Sequence, residues 1–147
     1  MLRLGEVAFT QGRSTFLDRH GKVPEPTAKI YVRLLLGETR LPVDAQVDTG
    51  AAWSVLDPET AQSLDLLDSD GPFTRIETRF GRMEGRLVRI PIVFVADEGE
   101  SLDTEGTFFI SPGWPSGRIF LGYSGLLDSM RFALDPQANQ FYFGPGV

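Results

Sequence analysis

Asp48, Thr49 and Gly50 stand together where an apolar run, Ala45-Gln46-Val47, comes to an end, and Ala51 follows them. A carboxylate at the end of a strand can serve as a general acid or base if the chain turns back and holds it over a substrate. Gly50 permits such a tight turn, and Thr49 brings a hydroxyl able to tie the loop down. Taken alone, the triplet is equally a good turn with no chemistry attached. What the chain lacks narrows the choice. It has no cysteine, which excludes disulfides, thiolate metal sites and a cysteine nucleophile. Its one histidine, His20, excludes a histidine-based triad together with any multi-histidine metal site within one chain. Hydrolytic chemistry here has to run on carboxylates, with no metal and no cofactor expected.

Other residues have simpler explanations. Asp65, Asp68 and Asp70 precede Gly71 but lack the oxygen ligands of a full calcium loop, so a helix end and turn is the expectation. His20 lies beside Gly21 in an expected surface loop. Trp114, between Pro112 and Pro115, reads as a buried loop anchor, with a binding surface as the alternative.

A chain of 147 residues suits one domain of ordinary size. Its 41% hydrophobic and 23% charged content are those of a soluble globular protein, and eleven Phe supply bulky core material. A net charge of -6 argues against a nucleic-acid partner, because phosphate binding needs a basic face. The N-terminus lacks the apolar core of a signal peptide, and no apolar run approaches the roughly 20 residues needed to span a bilayer. The expected setting is the cytoplasm, without membrane association.

Sixteen Gly and ten Pro at short intervals, with alternating apolar residues between them, predict many short strands and a mostly β domain. Segments 6–10 and 14–17 suggest a small N-terminal hairpin. Residues 21–26 suggest a connector, since Pro24 and Pro26 block helix and inner-strand pairing alike. Strands are expected at 28–36 and 41–47, with Val55-Leu56 continuing the sheet beyond Asp48. A helix should follow, with Asp57 as N-cap, Pro58 at its first position, and Ala61, Leu64 and Leu67 on one face. Segments 74–80 and 86–95 flank a glycine-bearing turn at 81–85 as a long hairpin. Further strands are expected at 106–111 and 119–121, then a second short helix over 124–131 with Leu126, Leu127 and Met130 inward. A closing hairpin joins 132–134 to 140–143.

Val47-Asp48-Thr49-Gly50-Ala51, a hydrophobic pair and then a helix resemble the active-site segment of retropepsins, the retroviral-type aspartic proteases. Gly106-Thr107-Phe108-Phe109-Ile110, a Pro-containing loop, Ile119-Phe120-Leu121-Gly122 and the Leu126-Leu127 pair resemble the second half of that family. The glycine hairpin falls between the two motifs, where the family has its flap. The resemblance covers residues 28 to 143 and implies an acid-protease barrel, one lobe per chain, with two short helices and a flap. Residues 1–27 then form an N-terminal extension and 28–147 the protease domain.

The resemblance also implies a mechanism. With one such triplet per chain, two Asp48 carboxylates would meet in a homodimer, share one proton and activate water against a peptide or protein substrate. Thr49, Gly50 and Ala51 would shape the active-site loop. Phe120, Leu121 and Gly122 would support it from behind, with Ile119 or Phe120 lining the substrate cleft. Phe80, Gly81, Arg82, Met83 and Gly85 would form the flap and meet substrate. Ala51 offers no hydroxyl to the dyad, so a less acidic working range than that of pepsin-like enzymes is expected.

Two departures stand out. Retroviral members carry an acidic residue shortly after the first motif and an Arg after the second; Ala52-Trp53 and Tyr123 occupy those places here. Both sides of the ion pair are absent together, which an apolar substitute can tolerate, and Trp53 against Tyr123 is one such arrangement. The hairpin also carries Arg75, Arg79, Arg82, Arg86 and Arg89 beside Glu77 and Glu84. Cross-strand ion pairs on a solvated hairpin explain these, and a preference for acidic peptides is the sharper alternative. Two other readings stay open: a catalytically inactive retropepsin-fold binding or dimerisation module, and an unrelated β-barrel with a chance Asp-Thr-Gly turn.

Overall fold

The computed structural model of the protein describes residues 1–18, 29–79 and 81–146. The connector expected at 21–26, His20 and Phe80 lie outside the described residues. The chain first forms β1 (Arg3–Leu4), β2 (Val7–Ala8), β3 (Gly12–Thr15), β4 (Leu17–Asp18), β5 (Ile30–Leu36), β6 (Leu41–Val47) and β7 (Ser54–Leu56). Helix α1 (Pro58–Ser63) leads to β8 (Phe73–Thr78), β9 (Gly81–Phe94), β10 (Glu98–Gly99) and β11 (Leu102–Ile110). Then come β12 (Phe120–Leu121), a 3-10 turn (Leu127–Ser129), β13 (Met130–Asp135) and β14 (Gln140–Pro145). The protein is a mostly β fold, as its sequence pattern predicts. No helix among the described residues is long and apolar enough to cross a membrane.

Period-two alternation decides which side of each strand is buried. In β5, Val32, Leu34 and Leu36 are buried while Arg33 is exposed. β5 pairs with β6 on one side and β9 on the other. From β6 the pairings run through β12, β7 and β11 back to β9, so they close on themselves. β4 and β8 hang outside this ring, on β5 and β9. A second sheet runs β10-β3-β14-β13, and β1 and β2 make a two-stranded hairpin.

The two larger sheets are joined by aromatics. Phe94 of β9 meets Phe143 at 5.7 Å and Phe141 at 6.3 Å between ring centroids, and Phe132 stacks on Phe141 at 6.1 Å. Phe94, Phe141 and Phe143 are fully buried. Burial of each such ring contributes about 1.5–3 kcal/mol.

Three elements differ from the sequence pattern. Strand β3 does not pair back on β2; it enters the second sheet between β10 and β14, where main-chain partners on both sides outweigh a local turn. The second helix shrinks to the 3-10 turn, because Gly125 takes a φ of 76° and Met130 already pairs with Pro145 in β13. Leu126, Leu127 and Met130 are nonetheless buried, as their spacing requires. The turn of the long hairpin lies between Thr78 and Gly81, which face each other across it, and β9 runs straight through 81–85. Gly81, with φ 101°, supplies the turn geometry there. Gly85 serves close approach: a Cβ on it would stand 2.3 Å from the Ile110 carbonyl oxygen and 2.8 Å from the Phe109 ring.

Candidate active site

Asp48 sits immediately beyond β6, and the neighbouring strand fixes it there. β12 lies between β6 and β7, parallel to the first and antiparallel to the second, with Phe120 opposite both Gln46 and Val55. The Asp48 N–H donates to the Leu121 carbonyl at 2.9 Å, extending that ladder by one bond. The loop then closes on itself. Ala51 N–H donates to the Asp48 carbonyl at 3.1 Å, and Gly50 N–H to the Asp48 Oδ1 at 3.0 Å. This aims the half-buried carboxylate into a cleft of about 360 Å3.

Beyond Asp48 the backbone of the two motifs runs side by side. Tyr123 N–H donates to the Ala51 carbonyl at 2.9 Å and Ser124 N–H to the Ala52 carbonyl at 2.8 Å, with Trp53 bridging to Ser124. Main-chain bonds thus tie together the positions where the sequence lacks an ion pair. Trp53 packs into an apolar cluster with Val55, Phe109 and Trp114, whereas Tyr123 is exposed. Behind the loop, the fully buried Ser54 Oγ accepts the Gly122 N–H at 2.8 Å. Gly122 has to be glycine, since a Cβ would stand 2.4 Å from Trp53 backbone atoms.

Of the residues expected in the loop and its support, Asp48, Gly50, Ala51 and Phe120 line the cleft. Leu121 is fully buried beneath it, and Ile119 belongs to the main core. Thr49 is exposed. Gly50 has no positive φ, and a Cβ there would meet Asp48 Oδ1 at an ordinary 3.4 Å, so nothing among the described residues forces glycine at 50.

The hairpin faces the cleft with its incoming arm. Ile76, Glu77, Thr78 and Arg79 line it, while Gly81, Arg82, Met83 and Gly85 on the outgoing arm do not. Met83, opposite Ile76, packs into the apolar cluster, and Gly85 is buried at the hairpin's base. The aromatic wall of Trp53, Trp114 and Phe120 completes the site. Trp114 meets Phe120 edge to face at 5.8 Å, and its indole N–H donates to the Arg118 carbonyl at 2.7 Å. The loop-anchor expectation for Trp114 therefore holds, and the same side chain shapes the cleft. Proline-flanked tryptophan was the available signal for it. Nothing in the local pattern singled out Ser54, or Arg79 from the other hairpin arginines.

Charges on the hairpin are largely matched. Arg82 pairs with Glu77 at 2.8 Å and Arg75 with Glu84 at 2.9 Å. Arg86 donates to the Gly71 carbonyl at 3.1 Å and lies over Phe73, and Arg89 pairs with Glu105 at 3.1 Å. Among the other early candidates, Asp57 precedes α1 in extended conformation without a side-chain cap bond. Its Oδ2 instead accepts the Gly117 N–H at 3.0 Å, and Oδ1 is buried without a partner among the described residues. Asp65, with φ 56°, turns the chain after α1, and no group of three metal-ligating side chains occurs among the described residues.

A strand-end Asp-Thr-Gly loop, a second strand threaded behind it and a hairpin across the cleft are the arrangement of a retropepsin-like fold. Residues 32–104 match the family model described as aspartyl protease. A retropepsin-like aspartic protease from Rickettsia conorii shares the fold at a TM-score of 0.60 and 19% identity, over 89% of this chain and 98% of that one. The retroviral protease-like domain of Ddi1 from Leishmania major does so at 0.52 and 18%, over 81% and 94%. No curated protein matches by sequence. Family match and fold agree with the sequence motifs: the chain is similar to the retropepsin-like aspartic proteases and has their fold.

Proposed function

We propose that this protein is an aspartic endopeptidase whose active site forms between two copies of the chain, each contributing Asp48. One observation carries the proposal: the only Asp-Thr-Gly of the sequence presents a half-buried carboxylate, backbone-held at a strand end, to an aromatic-walled cleft under a hairpin. A single carboxylate can activate water but has no second group to protonate the carbonyl oxygen. Two related by a twofold axis supply both. Close like charges resist double ionisation, so the pair holds one proton. The ionised Asp48 takes a proton from water as the water oxygen attacks the scissile carbonyl carbon. The protonated Asp48 donates to the carbonyl oxygen, and the tetrahedral intermediate collapses with a proton delivered to the leaving amine. Thr49, exposed on each lobe, is free to bond across to the partner loop.

Digestion of a peptide library by wild type and Asp48→Asn, over a series of protein concentrations, tests this. Asn keeps an oxygen for the Gly50 N–H, so the variant should fold and lose all cleavage. Wild-type specific activity should rise with concentration around the dimer dissociation constant. Specific activity that stays constant where the protein is demonstrably monomeric rules out the shared site, and cleavage by Asp48→Asn rules out the carboxylate.

A further inference from the structure

Arg79 stands apart from the other arginines of the β8–β9 hairpin. Arg75 and Arg82 are paired with carboxylates, Arg86 is engaged by Gly71 and Phe73, and Arg89 reaches Glu105 and Thr107. Arg79, at the turn, is exposed, lines the cleft that holds Asp48, and has no carboxylate partner among the described residues. The other carboxylate on that wall, Glu77, is bound by Arg82. Among the described residues that line the cleft, Arg79 is therefore the one cation, sharing it with Asp48 and an aromatic wall of Trp53, Trp114 and Phe120.

We infer that Arg79 is a specificity-determining residue that selects substrates with an acidic side chain next to the bulky apolar residue seated in the cleft. This rests on the peptidase reading and names its substrate class. A guanidinium presents a rigid fork that fits a carboxylate through two parallel hydrogen bonds, which an amide of the same shape cannot match in charge. The aromatic wall accepts the neighbouring apolar side chain. The chain as a whole is acidic, at -6, so an acidic peptide gains little from the overall field and depends on a local contact. Twofold assembly sets one Arg79 on either side of the scissile bond.

The test uses peptide pairs differing only by Glu or Gln beside a Phe, read in two ways with the full chain. The first is kcat/KM for wild type, Arg79→Gln and Arg131→Gln, the last removing the same charge outside the cleft. The second is fluorescence anisotropy of the same peptides on Asp48→Asn protein, with and without Arg79→Gln. Wild type should prefer Glu over Gln by about two- to fivefold at low salt, the range of a partly exposed ion pair. Arg79→Gln should bring that ratio to about one and Arg131→Gln should leave it, with 0.5 M salt erasing it throughout (an ionic strength of about that size screens beyond a few Å). Asp48-dependent cleavage with no Glu preference, or with a preference that survives Arg79→Gln, overturns the assignment and spares the peptidase. Absence of cleavage, with Glu-selective binding abolished by Arg79→Gln, overturns the peptidase and spares the assignment. Absence of selectivity in both arms overturns the assignment.

Discussion

Ser54→Ala probes the hydrogen bond that backs the Asp48 loop. Ser54 is fully buried, and its Oγ accepts the Gly122 N–H at 2.8 Å. Gly122 is itself buried and packed against the Trp53 backbone. Alanine therefore leaves one buried N–H unpaired, which costs about 1–3 kcal/mol. In a domain of this size each kcal/mol lowers Tm by about 2–4 °C, so a fall of roughly 2–12 °C is expected. Urea unfolding followed by fluorescence is well suited, since Trp53 and Trp114 both lie in the cleft. The midpoint should fall with an unchanged slope, because no change in exposed surface is involved. Cleavage should fall as well: Asp48 N–H bonds to Leu121, one residue before Gly122, so a shift there moves the carboxylate. A Tm within about 1 °C of wild type would refute this account of how the loop is held.

Two further substitutions test other parts of the fold. Gly85→Ala drives a Cβ against the Ile110 carbonyl and the Phe109 ring, so β9 and β11 must part; the expected loss is about 1–3 kcal/mol in urea titrations, and an unaltered midpoint would contradict the packing described. Glu98→Gln removes the ion pair with Arg13, whose guanidinium holds the Glu98 carboxyl below its ordinary value of 4.5. A carboxylate depressed in the folded state stabilises above its unfolded value and loses that contribution as pH falls through the folded one. The wild-type advantage over Glu98→Gln should be present near neutrality and vanish in the acid range below 4.5; an advantage independent of pH would assign it to packing.

How much the sequence reveals depends on whether the signal is local. β6 was legible over its full length and β5 nearly so, because alternation of the Val32, Leu34 and Leu36 type reports one buried face. Pro58 marked the start of α1 for the same reason: its fixed φ acts on the residue itself. The hairpin turn was misplaced by the glycines at 81 and 85, which serve different purposes. Gly81 turns the chain, while Gly85 makes room for Phe109, a neighbour from another strand. The helix expected over 124–131 failed similarly, since its apolar spacing fits a buried turn as well as a helix, and only pairing with Pro145 decides between them. In the site, Asp48 and Phe120 carried recognisable motifs. Ser54 and Arg79 did not, because a buried serine and an arginine with no carboxylate partner among the described residues are defined by what surrounds them.

The position of β3 bears on the order in which this chain folds. Thr15 faces Gln140 across the β3–β14 ladder, 125 residues apart in sequence. During synthesis β3 emerges early, gains β10 on one side once residues 98–99 are made and lacks its other partner until β14 follows, so the second sheet closes last. Contacts of such long sequence separation slow folding, because the loop-closure entropy is lost before the pairing rewards it. Until then Phe94 lacks Phe141 and Phe143, and that aromatic face stays open to water. Refolding should accordingly show a slow phase in the protection of β3 and β14 amides, after the Asp48-bearing strands are already protected. The Asp48 loop and the final stability of the lobe would be acquired at different times.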